Sequence, residues 1–332
     1  MVDSTGLPEF ADVEAAAARI APYAVETPLL ENDALNRKLG ARIFLKLESL
    51  QRTGSFKFRG AYNRIALIPE SERAHGVVAF SSGNHAQGVA ASAALFGIRA
   101  TIVMPKDAPR AKIEGTRELG AEITFYDRRV DDREAIAMKV AEESGATLIR
   151  PFDDAGIVAG QGTIGLEMAR QSAARGVKLD AVLVPCSGGG VVSGIALALS
   201  QTSPDTQVIS VEPESFDGMR RSLAMGKRVS SPGGTLSVAD ALMAPIPGEI
   251  PFALAKKLMK AGLAVGDDAL RAAVAYAARH LKLIIEFGGS AGLAAALSGR
   301  CDVHGKCVAV VLTGGNCDFG AVAASISAFP EG

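Results

Sequence analysis

One lysine sits among neighbours suited to covalent chemistry. In Ser55-Phe56-Lys57-Phe58-Arg59-Gly60, Lys57 lies between two phenylalanines at the start of a helical pattern. Burial disfavours an ammonium ion and a nearby guanidinium disfavours it further, so both neighbours predict an amine that sheds its proton readily. A neutral amine of that kind attacks carbonyl carbon and forms Schiff bases. Most lysines are solvated surface residues, and the hexapeptide alone does not single this one out. A second feature lies far along the chain. The run Ala181-Val182-Leu183-Val184-Pro185 reads as a strand, Cys186-Ser187-Gly188-Gly189-Gly190 follows, and helical periodicity resumes at Val191. Strand, glycine loop and helix N-terminus together aim backbone N–H groups at an anion, with the helix dipole adding to the pull. Three consecutive glycines exceed what a tight turn needs, so Gly188, Gly189 and Gly190 read as a phosphate cradle.

That loop has a rival reading. Gly188-x-Gly190-x-x-Ser193 is close to a dinucleotide fingerprint, and Glu212 ends the next strand-like run, where a ribose-binding acid would stand. A nucleotide-binding dehydrogenase therefore stays open on the loop alone, but such an enzyme has no need of a reactive lysine. Two further loops, Ser81-Ser82-Gly83-Asn84-His85 and Thr313-Gly314-Gly315-Asn316, also follow strand-like runs. Ligands in α/β sheets sit beyond the carboxyl ends of strands, where such loops lie. One ligand touching all of them requires a cleft between two lobes.

Taken in order, these four motifs resemble those of the fold-type II pyridoxal-phosphate (PLP) enzymes, and within them the threonine/serine dehydratases, hydroxyaspartate dehydratases and serine racemases. The match runs from about residue 21 to 319. The resemblance implies a tryptophan synthase β-like architecture of two three-layer α/β lobes, with the cofactor in the cleft between them. It places a large domain at 1–52 and 155–332, and a small mobile domain at 53–154 inserted in it. Lys57 then carries PLP as a Schiff base and moves the α-proton, while Phe56 lies against the ring. Asn84 bonds the ring hydroxyl, and Gly188, Gly189 and Gly190 hold the phosphate. Thr313 faces the pyridine nitrogen; a hydroxyl leaves that nitrogen unprotonated, which suits rapid β-elimination better than a long-lived carbanion. Ser81, Ser82, Gly83, Asn84 and His85 receive the substrate carboxylate at a helix N-terminus. Ser82 matches the serine that stands opposite the lysine in the racemases, so it permits racemisation alongside elimination. The expected activity is an ammonia-lyase acting on threonine, serine or 3-hydroxyaspartate, with a racemase as the alternative.

The resemblance also implies a cation, Mg2+ or else Mn2+, Ca2+ or K+, held by a glutamate, a backbone carbonyl and an aspartate. Glu212 and the Phe216 carbonyl fit that set. The aspartate position holds Gly218, with Asp217 one residue earlier. A second substrate carboxylate, as in hydroxyaspartate, calls for a cation such as Arg110, Arg150 or Arg220 near the β-carbon.

These motifs need rigid elements behind them. Segments 42–46, 77–80, 101–104, 122–125, 181–185, 207–211 and 307–312 read as buried strands. Helical periodicity marks 84–95, 109–119, 132–143, 157–174 and 268–280. Their alternation predicts parallel sheets covered by helices on both faces. The chain has 332 residues, 48% of them hydrophobic, and a formal net charge of −1. That near-neutral balance argues against a nucleic-acid binder, and no apolar run reaches membrane-spanning length. Residues 1–24 lack the pattern of a signal peptide. Cys186, Cys301, Cys307 and Cys317 match no zinc spacing, so they read as free thiols of a cytoplasmic protein. The charge runs Arg128-Arg129 and Asp131-Asp132-Arg133 read as solvated faces, and His75, His280 and His304 have no relay partners. The chain ends at Gly332, soon after the last motif; a catabolic homodimer without a regulatory domain is the expectation.

Overall fold

A computed structural model describes residues 6–108 and 110–330. The first five residues of the 1–24 segment, Pro109 and Gly332 lie outside them. Ten strands, numbered in chain order, form two sheets among the described residues. The larger runs β1 (Leu29–Glu31), β2 (Arg42–Leu47), β10 (Cys307–Leu312), β7 (Ala181–Pro185), β8 (Gln207–Pro213) and β9 (Gly262–Val265). Only β1 is antiparallel to its neighbour. The smaller sheet is wholly parallel, in the order β5 (Glu122–Tyr126), β4 (Ala100–Pro105), β3 (Val77–Phe80) and β6 (Thr147–Leu148).

Side chains on successive strand residues point to opposite faces, so each apolar run feeds two cores. In the large sheet Ile43, Leu45, Leu183, Val310 and Leu312 face the helices Asp267–Tyr276 and Ala291–Leu297. Phe44, Val182, Val184, Ala309 and Val311 face the opposite way, onto Ala155–Ala173 and Gly190–Thr202. The small sheet repeats the plan. Val77, Ala79, Ile102 and Met104 pack under Lys57–Ala66 and Asn84–Phe96, while Val78, Phe80 and Val103 pack on Arg133–Ser144. Each fully buried valine, leucine or isoleucine contributes about 1.5–3 kcal/mol, which holds the strands in register. Both sheets therefore have helices on both faces, as the alternation predicts.

The helix that opens at the glycine loop is held close to its neighbour. A Cβ on Gly194 would stand 2.4 Å from the Val158 carbonyl oxygen, so only glycine lets Gly190–Thr202 lie against Ala155–Ala173 at this distance. One helix differs from its predicted span: Asp267–Tyr276 continues as a single π-turn, Ala277–Leu281, in place of α-helix to residue 280. No helix among the described residues is long and apolar enough to cross a membrane.

Candidate active site

Lys57 is the first residue of its helix, and it is half-buried. Its Nζ donates to the Pro151 carbonyl oxygen at 2.7 Å and lies 5.2 Å from the centroid of the Phe56 ring. Burial lowers its pKa to about 8, against a smaller upward pull from Glu286. The expected contribution of Arg59 is not the cause. Two residues along a helix turn a side chain to the far side. There the Arg59 guanidinium binds Glu48 at 2.8 Å and Glu167 at 2.6 Å. Lys46 completes this buried group through Glu167 at 2.5 Å. The network ties the Lys57 helix to β2 and to Ala155–Ala173.

The loops predicted from sequence meet around one cavity of about 340 Å3. Phe56, Lys57, Ser81, Ser82, Gly83, Asn84, His85, Gly188, Gly189, Gly190 and Thr313 all line it. Asn316 joins from behind, donating to Asn84 Oδ1 at 2.8 Å and to the Thr53 carbonyl at 2.7 Å. The glycine turn is shaped for backbone approach. A Cβ on Gly188 would fall 2.3 Å from the Phe152 ring, and Gly189 holds a φ of +96° with Met219 2.5 Å from where its Cβ would be. Such a turn excludes side chains and opens a helix at Gly190, which fits a phosphate. A partly desolvated amine of lowered pKa on the same cavity fits an aldehyde. The residues present therefore fit pyridoxal phosphate.

His85 is neutral in this setting. Its Nε2 lies 3.0 Å from the Ile149 carbonyl, which fixes the Nε2–H tautomer, and burial with the nearby Lys57 charge lowers its pKa to about 3. Its Nδ1 has no hydrogen-bond partner among the described residues.

Sequence reading missed several lining residues. Glu286 lies in Ile284-Ile285-Glu286-Phe287, a segment with no motif, yet its Oε1 accepts from Asn84 Nδ2 at 2.6 Å. Burial raises its pKa to about 7, with Asp240 adding to the rise. Lys112, Arg128 and Arg133 also line the cavity. The 128–133 charge run is solvated, as its sequence implies: Arg128, Arg129, Asp131, Asp132 and Arg133 are all exposed, and Arg128 and Arg133 in addition border the cavity. Lys112 pairs with Asp240 at 2.9 Å and Arg128 with Asp107 at 2.8 Å. Arg133 has no acidic partner among the described residues, and its guanidinium sits 5.7 Å from the Phe80 ring centroid. None of Arg110, Arg150 and Arg220 lines the cavity. They pair instead with Glu114, Glu134 and Asp217.

The turn after β8 lies elsewhere. Glu212 is fully buried, and its two oxygens accept the backbone N–H groups of Met219 at 2.9 Å and Arg220 at 2.7 Å. Burial pushes its pKa up to about 8, against the pull of those donors. Phe216 ends the short 3-10 turn Glu214–Phe216, and Asp217 takes the Arg220 guanidinium.

Two parallel-sheet lobes around a lysine and a glycine cradle define a cofactor-dependent enzyme of the α/β class. The chain belongs to the family described as pyridoxal-phosphate dependent enzymes, whose pattern matches residues 20–314. It is 41% identical to an L-threonine ammonia-lyase of Thermotoga maritima, over 92% of this chain and 75% of that protein. It is likewise 41% identical to an L-threo-3-hydroxyaspartate ammonia-lyase of a Pseudomonas species, over 94% and 96% of the two chains. The solved structure of maize serine racemase superposes with a TM-score of 0.90 at 35% identity, covering 98% of this chain and 99% of that one. The fold-type II resemblance read from the four motifs is borne out.

Proposed function

We propose that this chain is an ammonia-lyase that eliminates water from a small β-hydroxy amino acid to give an enamine, which takes up water again on hydrolysis to release a 2-oxo acid and ammonia. The observation that carries the reading is the convergence of Lys57, the 81–85 loop and the 188–190 cradle on one cavity of about 340 Å3. Bound pyridoxal phosphate supplies an aldehyde that captures the substrate amine and a ring that takes up the charge left at Cα. The rest falls to the chain's own residues. Gly188, Gly189 and Gly190 hold the phosphate, and Asn84, fixed between Glu286 and Asn316, meets the ring edge. The first turn of Asn84–Phe96 binds the substrate carboxylate through free N–H groups. Lys57, its proton affinity lowered by burial, accepts the α-proton at Nζ. Thr313 offers a hydroxyl to the ring nitrogen.

Arg133 bears on substrate choice. A guanidinium without an acidic partner on the cavity wall supports a substrate with a second carboxylate, 3-hydroxyaspartate, over threonine and serine. The measurement is 2-oxo acid release from the L and D forms of serine and threonine and from the 3-hydroxyaspartate isomers. Release is expected from one or more of them and is lost in Lys57→Ala; no release from any member overturns the reading. Arg133→Ala is expected to raise KM for hydroxyaspartate about tenfold or more and to leave threonine within about twofold, since one charge-assisted bond contributes about 1.5–3 kcal/mol.

A second reading, racemisation, is favoured by Ser82 lining the same cavity as Lys57. Inversion of serine or aspartate in the same reactions, abolished by Ser82→Ala, would establish it. The oligomer expected from the resemblance, a homodimer, remains part of this proposal and is checked by light scattering.

A further inference from the structure

The cation that the resemblance places after β8 does not match the donors found there. Glu212 spends both oxygens on the backbone N–H groups of Met219 and Arg220, at 2.9 and 2.7 Å. The position expected to hold an aspartate is Gly218, and it has no room for a side chain. A Cβ there would stand 2.9 Å from Ser231 Oγ and 3.1 Å from Pro247 Cδ. Asp217, the neighbouring acid, is buried, and its Oδ2 takes two N–H groups of the Arg220 guanidinium, Nε at 2.8 Å. No group of three metal-ligating side chains is found among the described residues. One lone oxygen, Asp217 Oδ1, is buried without a donor among the described residues. A metal ion reaching it would share that carboxylate with the Arg220 guanidinium, and like charges repel.

We infer that the Arg220 guanidinium is the built-in counter-cation of this turn, standing where a metal ion would otherwise neutralise its acids, so that the holoenzyme folds without a bound cation. Arg220 suits the task by position. It is the third residue of Gly218–Met225, its own N–H binds Glu212, and its side chain folds back onto Asp217. One residue therefore joins both acids to the helix. A guanidinium is charged at every working pH and binds a carboxylate through two donors, so the turn keeps its positive charge without drawing on the solvent. The turn packs tightly on the neighbouring strand β9, where Gly262 approaches the Arg220 backbone so closely that a Cβ would stand 3.1 Å from its Cα.

The test uses the holoenzyme, exchanged into a buffer of organic cations with a chelator. Bound metal is measured by mass spectrometry, and the thermal midpoint is followed as Mg2+, Mn2+, Ca2+ or K+ is restored. The expected result is no stoichiometric metal and a midpoint that moves by less than about 1 °C, since a ligand stabilises only what it binds. Arg220→Gln is expected to lower the midpoint by roughly 3 °C or more with the chelator present, and Arg220→Lys to recover part of the loss. One metal ion per chain, or a midpoint rising by several degrees with any of the four cations, would overturn the inference. An unchanged midpoint in Arg220→Gln would overturn it equally.

Discussion

Glu286 shows how a single buried carboxyl couples the site to pH. Its folded pKa, about 7, stands above the ordinary 4.5 because burial disfavours the anion. The folded state therefore holds that proton more tightly than the unfolded chain does. Stability from this group is fully present below about pH 4.5 and is lost as the pH rises through about 7. Glu286→Gln keeps an oxygen for Asn84 Nδ2 and removes the titration. Denaturation midpoints of the apoprotein, measured for both forms across that window, are expected to diverge, with the wild type losing of order 3 kcal/mol relative to the variant. Parallel curves would show that Glu286 is not protonated in the folded protein. Nothing in the sequence marked this residue. Lys57, Asn84 and the three glycines were legible because their roles need particular residue types at fixed offsets, whereas a carboxyl recruited from Ile284-Ile285-Glu286-Phe287 needs only to be nearby in space. Arg133 escaped for another reason: it is solvated surface, as a run of charges implies, and only the fold sets that exposed cation at the rim of the cavity.

At the scale of elements, the sequence showed most plainly what is buried on both faces. Parallel strands covered by helices read as unbroken apolar runs, so β7 and β10 were legible almost residue for residue. The strands that escaped are short or peripheral: β1 has three residues at the sheet edge, β6 has two, and β9 begins with a glycine and is only half-buried. Pairing with a neighbour creates such strands, and no local pattern announces a partner. Hidden in the same way was the ionic group behind Lys57. Arg59, Glu48 and Lys46 are fully buried, and Glu167 closes the group from Ala155–Ala173. Removing one member leaves its partners charged in a dry interior. Arg59→Met is expected to lower unfolding free energy by about 3–5 kcal/mol, while adding Glu48→Met should return a large part of it, because a matched apolar pair leaves less unpaired charge. A double variant no more stable than the single one in denaturant melts would show that the two residues do not act as a pair.

For the molecule as a whole, the four strands of the small sheet lie in one excursion of the chain between β2 and β7. The active-site cavity is bounded by residues of that excursion and of the larger sheet. Among the bonds that cross from one to the other are Asn84 to Glu286 and Lys112 to Asp240, the latter largely exposed. Water must be excluded once the α-proton is removed, which calls for closure of the cleft over the substrate. We propose that residues 53–154 move as a unit over the substrate, with Lys57 on one side of the hinge and the glycine cradle on the other. Hydrogen exchange of the holoenzyme, with and without a dicarboxylate analogue of the substrate, reads this motion by element. Slower exchange is expected in the first turn of Asn84–Phe96 and around Arg133, with Ala155–Ala173 unchanged because its amides are already shut in the core. If calorimetry shows the analogue bound while exchange at the 81–85 loop stays the same, the lobes do not close on the ligand. The cavity would then be a preformed site, its selectivity set by Arg133 and Glu286 as they stand.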